Sequence, residues 1–479
     1  IIQILVMRKL LFSSLTLLSC SVAIASNNQP NIIVILTDDQ GSADLSCLGS
    51  TRVKTPNIDN MAAEGMLLNR FYTASSVSSP SRASILTGRM PQRVGVPAVL
   101  FPFTTTGLPS EEITIAEMLR DQGYATTIIG KWHLGHKPDQ LPTTQGFDSF
   151  YGIPYSNDMS IAKELKISDD IVYNDGYDEA RLQDDISKYE IFEEYKKIKK
   201  RVPLMRGDEV IEFPAEQTTL TERYTTEAVR YIQEHKEEPF FLYMAHTFPH
   251  EPIFVGEKFE GHSGNGLYCD AVEEIDWSVG EVLKAVNDNG LEENTFIIYL
   301  SDNGPQPLTP KGERKGSAGD LRGYKFDTYE GGYRSPCVIW YPQMIRAGRY
   351  SEEIVSALDI FPTIMNLVDA PMPDDRIYDG YDLAPYLSGE QSKSPRNEIY
   401  YYHANMMEID GVRIGDWKYF DYGNLKDLKS GTSEKGHLHN LSVDISESDN
   451  LIERYPQKSN ELQYQMKRFD RELNADIEK

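Results

Sequence analysis

From Asn31 onward, the sequence alternates short apolar runs with amphipathic stretches, and this alternation limits its fold more than any other feature. The run NIIVILT at 31–37 has a continuous apolar centre at 32–36, which is typical of a strand buried on both faces of a sheet. Further strand-like runs lie at 124–130, 240–246, 295–301 and 336–342. Such alternation predicts an α/β fold with a large, mainly parallel central sheet flanked by helices.

The stretches between these runs carry helix signals. At 55–65, Thr55 stands at the N-cap position, and the stretch at 113–123 has the same design. The apolar spacing at 268–290 predicts a long helix. Residues 160–225 are rich in charge and show little pattern, so we expect an insertion that carries some helix.

The pattern changes after about residue 370, where short alternating stretches precede a charged helix at 455–478. This change predicts a small antiparallel C-terminal subdomain of the α+β type. We therefore expect a leader at 1–25, a large domain at 26–370 and a C-terminal subdomain at 371–479.

The first residues have the features of a secretory signal. Met7 and the basic residues Arg8 and Lys9 precede an apolar run that ends in Ala-Ile-Ala at 23–25, and the run is too short to span a membrane stably. We expect cleavage after this site, export to the periplasm and no transmembrane helix, with residues 1–6 an upstream translation artefact. A lipid anchor at Cys20 and a buried first strand or helix are the alternatives.

Charge and cysteine content exclude several classes of protein. The chain has 48 basic and 73 acidic residues and a formal net charge of −25, so nucleic acid is not an expected partner. Of the cysteines at 20, 47, 269 and 337, three remain after the expected cleavage. An odd number without close spacing predicts neither a disulfide framework nor a cysteine zinc site, so we expect small buried apolar residues.

Oxygen-bearing side chains follow two of the predicted strands. Asp38 and Asp39 come after 31–37, and Asp302 and Asn303 after 295–301. Ligands bind beyond the carboxyl ends of strands in open α/β sheets, and such an oxygen set suits a hard divalent cation. Helix capping and turn formation are the alternative for each pair.

Basic and imidazole side chains follow two other strands. Lys131 and His133 follow 124–130, while His246 ends the run 240–246 and His250 follows it. A single histidine is usually structural, but two at strand ends predict an acid–base site. Lys325 follows a glycine-rich loop and is a further candidate, whereas we expect other histidines, such as those at 235 and 262, at the surface.

The stretch SSPSRASILTGR at 78–89 resembles the type I sulfatase signature, (C/S)-x-P-S-R-x-x-x-L-T-G-R, at every position. The segments TDDQ, GKWHLG, PHEP, SDNG and LRGYK resemble other motifs of that family in the same order. The stretch 141–159 is similar to the arylsulfatase A branch. The resemblance covers most of the chain. It implies an alkaline-phosphatase-superfamily-like fold, with 26–370 as the catalytic sulfatase domain.

In this family the first residue of the signature, here Ser78, is oxidised to Cα-formylglycine. Serine in place of cysteine implies an anaerobic radical-type maturase that modifies Ser78 before folding. The aldehyde hydrate offers one hydroxyl to attack sulfur, and the other can expel sulfate by collapse to the aldehyde. An unmodified serine would remain a sulfate ester.

The resemblance also implies roles for the other candidates. One Ca²⁺ per chain would be held by Asp38, Asp39, modified Ser78, Asp302 and Asn303. Arg82 and Lys131 would stabilise the hydrated aldehyde, and Lys131 and Lys325 would bind sulfate oxygens. His133 would be the base that collapses the hemiacetal, and His250 the acid for the leaving alcohol. The implied substrate contacts are Lys131, Ser156, Asn157, Asp158, His250 and Lys325, with Asn157 replacing an expected histidine.

We therefore expect a sulfatase with a sulfated saccharide substrate. The expected action is exo, on a terminal sulfated galactose or N-acetylgalactosamine of host or algal glycans. A phosphatase or phosphodiesterase of the same superfamily is one alternative, although its two-zinc members typically have Asp-His where this chain has Asp302-Asn303. An inactive glycan-binding relative is the other, if Ser78 is never oxidised.

Overall fold

The computed structural model describes residues 29–188, 197, 200–307, 315–431 and 435–477. The expected leader at 1–25, with its cleavage site and Cys20, lies outside the described residues. Across the described ranges, no helix has the length and apolar character needed to cross a membrane.

In the described part of the chain, eleven strands form one large sheet, two strands pair separately, and four form a small antiparallel sheet. The strands are β1 Asn31–Thr37, β2 Met66–Leu68, β3 Phe71–Tyr72, β4 Ala125–Lys131, β5 Ser149–Ile153, β6 Lys166–Tyr173, β7 Leu204–Arg206, β8 Glu209–Phe213, β9 Phe240–Ala245, β10 Thr295–Ser301, β11 Cys337–Trp340, β12 Arg349–Ser351, β13 Val355–Ser356, β14 Glu398–Tyr402, β15 Ile409–Ile414, β16 Trp417–Phe420 and β17 His437–Asn440. The α-helices of the same residues are α1 Pro56–Glu64, α2 Ser78–Thr87, α3 Ile115–Asp121, α4 Glu179–Lys188, α5 Leu220–Glu234, α6 Leu267–Asp288, α7 Glu330–Tyr333, α8 Ile360–Leu367, α9 Ala384–Ser388, α10 Leu425–Ser430 and α11 Pro456–Ile477.

The centre of the large sheet is parallel, which confirms the predicted fold class. Its strand order is β12-β2-β11-β10-β1-β9-β4-β5-β7-β8-β6, and β10, β1, β9, β4 and β5 run in one direction. Strands β1, β9 and β10 are buried along their whole length, as their apolar sequences predict. The carboxyl ends of four adjacent strands, β10, β1, β9 and β4, therefore meet at one edge.

The two flanks of this sheet contain antiparallel strand pairs. Strand β11 runs antiparallel to β10. The region 160–225 carries helix α4, as expected, and it also supplies β6, β7 and β8, which extend the sheet at one edge. Strand β6 is largely exposed, so its sequence lacks the apolar run of a central strand.

The predicted helices at 55–65, 113–123 and 268–290 correspond to α1, α3 and α6. Thr55 is the N-cap residue of α1, as predicted, although its side chain makes no capping hydrogen bond. Instead, the backbone N–H groups of Asn57 and Ile58 donate to Asp276 of α6. A carboxylate from a neighbouring helix therefore satisfies the start of α1.

The four strands β14 to β17 form the small antiparallel sheet that the sequence predicts, and α11 packs on it. Lys418 of β16 is fully buried and pairs with Glu330 of α7 at 3.0 Å, which joins this sheet to the large domain. The domain boundary between residues 370 and 371 stays a prediction.

The three described cysteines are free. Cys269 and Cys337 are buried, as expected, but Cys47 is only half-buried, so the expectation is wrong for that residue.

Candidate active site

The chemically reactive candidates gather at the edge where β10, β1, β9 and β4 end. Asp302 and Asn303 follow β10, and Asp38 and Asp39 follow β1. His250 lies in the segment after β9, and Lys131 is the last residue of β4. The parallel register of these strands explains why residues distant in sequence meet here.

Ser78 is the first residue of α2 and is only 2% exposed. Its hydroxyl donates a hydrogen bond of 2.7 Å to Asp302 Oδ2 and lies 3.1 Å from Asp38 Oδ1. Val77 is the N-cap of this helix, so Pro80 is its third helical residue. Proline is tolerated there because the first-turn N–H groups have no intrahelical acceptor.

Arg82 lies one helical turn after Ser78, so both side chains lie on one face of α2. Its Nε and Nη2 atoms lie 3.1 Å and 2.9 Å from Asp302 Oδ2. Its Nη1 atom donates to the backbone carbonyl of Lys131 at 3.1 Å. The four-residue spacing therefore directs a hydroxyl and a guanidinium to the same carboxylate.

Each of the adjacent aspartates after β1 has its own lysine. Lys131 Nζ lies 2.5 Å from Asp38 Oδ2, and Lys325 Nζ lies 2.7 Å from Asp39 Oδ1. Burial favours the neutral acid, but the nearby cations outweigh it and lower the pKa of both aspartates. Burial lowers the pKa of Lys131, whereas for Lys325 the attraction of Asp39 outweighs burial and raises the pKa. Both aspartates are therefore held as carboxylates.

The oxygen atoms of this cluster fit a hard cation such as Ca²⁺. The ligand atoms of Asp38, Asp39 and His250 all lie within 4.8 Å of one another. The Nδ2 atom of Asn303 donates to Asp39 Oδ1 at 2.7 Å, while Asn303 Oδ1 is buried and has no hydrogen-bond partner among the described residues. A buried amide oxygen without a donor, beside carboxylates, is a suitable calcium ligand.

Formal charges in the cluster balance. The three carboxylates and three cations are all 5% exposed or less: Asp38, Asp39, Arg82, Lys131, Asp302 and Lys325. A divalent cation would add two positive charges to this neutral set. The occupied cluster would then attract an anion from the cavity above it.

His133 is buried, and a backbone carbonyl sets its tautomer. Its Nε2 atom donates to Leu100 O at 2.9 Å, because a carbonyl can only accept. Its Nδ1 atom is buried and has no partner among the residues described. Burial, with the charges of Lys131 and Arg82, lowers the pKa of His133 well below its usual range, so the neutral ring keeps a free acceptor at Nδ1.

His250 is oriented by Asn157. The Nδ2 atom of Asn157 donates to Gln217 Oε1 at 2.9 Å and to Pro252 O at 2.8 Å, so its Oδ1 faces His250 Nδ1 at 3.1 Å. His250 Nδ1 therefore carries a hydrogen, and Nε2, which lies 3.6 Å from Asp39 Oδ2, is free for proton transfer. Burial and Lys325 lower the pKa of His250.

A cavity of about 320 Å³ lies above the cluster. Six predicted residues line it, namely Ser78, His133, Ser156, Asp158, His250 and Lys325. Asn157 does not line it and is 0% exposed, so the expected direct contact of Asn157 with substrate is corrected to a contact with His250. Arg82, Lys131 and the remaining metal candidates lie beneath the cavity rather than on its wall.

Further residues that line the cavity are not among the candidates that the sequence indicates. Gln306 lines the cavity and donates to Asp39 Oδ2 at 2.6 Å, and its position three residues after Asn303 was an available signal. Phe101, Phe326 and Asn405 also line the cavity and had no such signal.

The remaining histidine candidate, His246, does not line the cavity. Both of its ring nitrogens are buried without a partner in the described ranges, and burial lowers its pKa to about 4. Of the two histidines expected at the surface, His262 is exposed and His235 is half-buried.

Comparison with known proteins gives consistent matches. A family model described as "Sulfatase" matches residues 30–370, and one described as "N-sulphoglucosamine sulphohydrolase, C-terminal" matches 324–475. Human arylsulfatase A is 37% identical over 91% of this chain and 86% of its own length. Mouse N-acetylgalactosamine-6-sulfatase is 36% identical over 83% of this chain and 73% of its own length. A crystal structure of Ps i-CgsB in complex with k-i-k-neocarrahexaose has a TM-score of 0.77 and 27% identity, covering 92% of this chain and 93% of that one.

Proposed function

The chain belongs to the sulfatase family and is a sulfuric ester hydrolase, and from this premise we propose that it removes sulfate from a terminal sulfated hexose. The matches also confirm the expected family and its alkaline-phosphatase-superfamily-like fold. Galactose or N-acetylgalactosamine is the proposed sugar, supported by the relatives named N-acetylgalactosamine-6-sulfatase and by the structure solved with neocarrahexaose. Export to the periplasm and modification by a radical-type maturase stay predictions.

The position of the Ser78 hydroxyl is the observation that carries this proposal. It lines the cavity, lies within 3.1 Å of carboxylate oxygens of Asp38 and Asp302, and is 3.5 Å from Lys131 Nζ. A nucleophile here has anionic acceptors for its proton and cations for the charge that develops at sulfur. As Cα-formylglycine, residue 78 would supply a hydrated aldehyde with one hydroxyl for attack and one for release.

Asp38, Asp39, Asp302 and Asn303 would hold Ca²⁺, which would supply positive charge beside the sulfate oxygens. Lys325 reaches the cavity and already contacts Asp39, so it can bind a sulfate oxygen without moving from its partner. Arg82 fixes Asp302 beneath residue 78. These cations orient the ester before reaction, where preorganised charge is most effective.

His250 and His133 divide the proton transfers. In its imidazolium form, His250 would donate the Nε2 proton to the ester oxygen of the leaving alcohol, because Asn157 accepts its Nδ1–H. His133 would accept the proton of the remaining hydroxyl at Nδ1, because Leu100 O holds its Nε2–H. The two histidines thus have different ring nitrogens available for proton transfer.

The test is sulfate release by protein co-expressed with a maturase and supplied with Ca²⁺. We expect turnover of galactose 6-sulfate or N-acetylgalactosamine 6-sulfate, and release only from the non-reducing end of sulfated oligosaccharides. The corresponding sugar phosphates serve as controls. Equal release from internal and terminal sugars, or turnover of the aryl ester 4-nitrophenyl sulfate alone, contradicts the proposed substrate.

A further inference from the structure

Exposed phenylalanine rings lie at the cavity that holds Ser78. Phe101 and Phe326 line the cavity and are 38% and 37% exposed. Phe103, 38% exposed, stacks on Phe101 with ring centres 5.2 Å apart and ring planes 1° from parallel. Large apolar side chains exposed together beside a reactive centre indicate a binding surface.

The position of Phe101 is fixed relative to the reacting groups. The backbone N–H of the preceding Leu100 donates to Ser79 Oγ at 3.1 Å, and its carbonyl accepts from His133. The N–H of Phe101 donates to Thr104 Oγ1 at 2.8 Å, and its carbonyl accepts from Thr104 N at 2.8 Å. The backbone that carries this ring is therefore tied to both α2 and the proposed base.

Phe326 has an unusual backbone conformation. Its φ is +80°, in a region that bulky residues rarely adopt, and its N–H donates to Ser76 O at 3.1 Å. The preceding Lys325 binds Asp39, and the Lys325 ammonium lies 5.7 Å from the Phe326 ring centre. Such strain is retained where the surroundings fix a residue, and it clusters at ligand contacts.

Hydrogen-bonding groups accompany these rings in the same cavity. Asp158, Glu251, Gln306 and Asn405 line it, and Asp158 Oδ1 is buried without a partner among the described residues. Asn405 Oδ1 accepts from Val99 N at 2.8 Å, which ties the loop between β14 and β15 to the segment that carries Phe101. The cavity therefore offers both apolar ring faces and polar groups.

We propose that Phe101 and Phe326 form a stacking subsite for the apolar C–H face of the pyranose ring that carries the sulfate, while Asp158 binds its hydroxyl groups. This inference rests on the proposed function and names the residues that select the sugar. An aryl or other wholly apolar leaving group could contact the rings but would leave Asp158 without a donor, which disfavours its binding. A pyranose has an apolar face and a hydroxylated edge, so it satisfies both sets of groups.

The test compares KM and kcat for galactose 6-sulfate in the variants Phe101→Ala and Phe326→Gly. Glycine suits a φ of +80°, so Phe326→Gly removes the ring without straining the fold. We expect KM to rise about tenfold in each variant, with the effect on KM rather than kcat. Phe326→Tyr, which keeps a ring, should restore most of the affinity. Tyr464→Ala removes a 58% exposed aromatic from α11, away from the cavity, and is the matched control.

A second comparison separates sugar recognition from general stacking. Asp158→Ala should raise KM more for galactose 6-sulfate than for 4-nitrophenyl sulfate, because only the sugar has hydroxyl groups whose hydrogen bonds to Asp158 would be lost. An unaltered KM in both phenylalanine variants, with normal turnover by the unmutated enzyme, overturns the stacking subsite alone. Absence of sugar turnover by the unmutated enzyme, with turnover of the aryl ester, overturns the proposed substrate and this inference together.

Discussion

The hydroxyl of Ser78 donates a hydrogen bond of 2.7 Å to Oδ2 of Asp302, a residue 224 positions away in the sequence. This bond joins the first turn of α2 to the carboxyl end of β10. Arg82 binds the same oxygen, so Asp302 connects the proposed nucleophile to a buried guanidinium. Asp302, a proposed ligand of the metal, thus also positions Ser78, the proposed site of the reaction.

Asp302→Asn should reduce kcat by about 100-fold or more, because it removes a charged ligand and the partner of a buried guanidinium. The increase in melting temperature on adding Ca²⁺ should shrink in the same variant. Asp169→Asn, at an exposed position of β6, is the control and should behave like the unmutated protein. An unchanged calcium shift together with unchanged kinetics would remove Asp302 from the site.

His250→Ala should slow the hydrolysis of galactose 6-sulfate by about 100-fold or more, because a sugar alkoxide leaves poorly without a proton. The same variant should slow the hydrolysis of 4-nitrophenyl sulfate much less, since nitrophenolate leaves readily as an anion. The measurement is kcat/KM for both esters in one preparation. Equal losses would contradict the role of His250 as acid.

Asn157→Ala should lower kcat for galactose 6-sulfate about tenfold with little change in KM, because Asn157 contacts His250 and not the cavity. In a His250→Ala background the same change should cost nothing further, since its effect passes through the lost ring. A full additional loss in the double variant, or an effect mainly on KM, would return Asn157 to the role of a direct substrate contact.

Glu274 of α6 gives a prediction about stability and pH. Its carboxylate accepts from Gly256 N, and burial raises its pKa to about 7 from an ordinary 4.5. A raised carboxyl pKa means that folding favours the protonated form, so its contribution to stability is full below pH 4.5 and is lost as pH rises through 7. Glu274→Gln keeps an acceptor oxygen without the charge.

We therefore expect Glu274→Gln to melt at a higher temperature than the unmutated protein at pH 8, and at a similar temperature near pH 4.5. The exposed variant Glu293→Gln controls for the general loss of one negative charge. A stability difference that is the same at both pH values would show that the Glu274 carboxyl titrates normally in the folded protein.

The sequence could predict the central sheet and the polar residues at its edge because both are local patterns. Strands β1, β9 and β10 are nearly continuous apolar runs, and polar residues follow these strands and β4 closely along the chain. Parallel pairing then brings those ends together without further information.

The remaining features depend on contacts between distant segments. Asp276 caps α1 from another helix, and the Asn405 loop reaches the cavity from the C-terminal sheet. Asn157 has the residue type of a substrate contact, but only its partners Gln217 and Pro252 show that it faces His250. No local pattern contains these partners, so the sequence could place the residues but not their roles.

The central claim is that residue 78 acts as an aldehyde hydrate, and the variants Ser78→Ala and Ser78→Cys bear on it first. Ser78→Ala should abolish turnover while the protein stays folded and still gains stability from Ca²⁺. Ser78→Cys should be active only in a host whose maturase accepts cysteine, because a thiol cannot expel sulfate by forming a carbonyl.

The most direct measurement compares turnover with the fraction of the peptide containing residues 75–89 that carries the aldehyde mass. Preparations made with different amounts of maturase would supply a range of modified fractions. The account predicts a straight line through the origin, with folded but nearly inactive protein where no aldehyde is present. Full activity in protein whose Ser78 is entirely unmodified would contradict it.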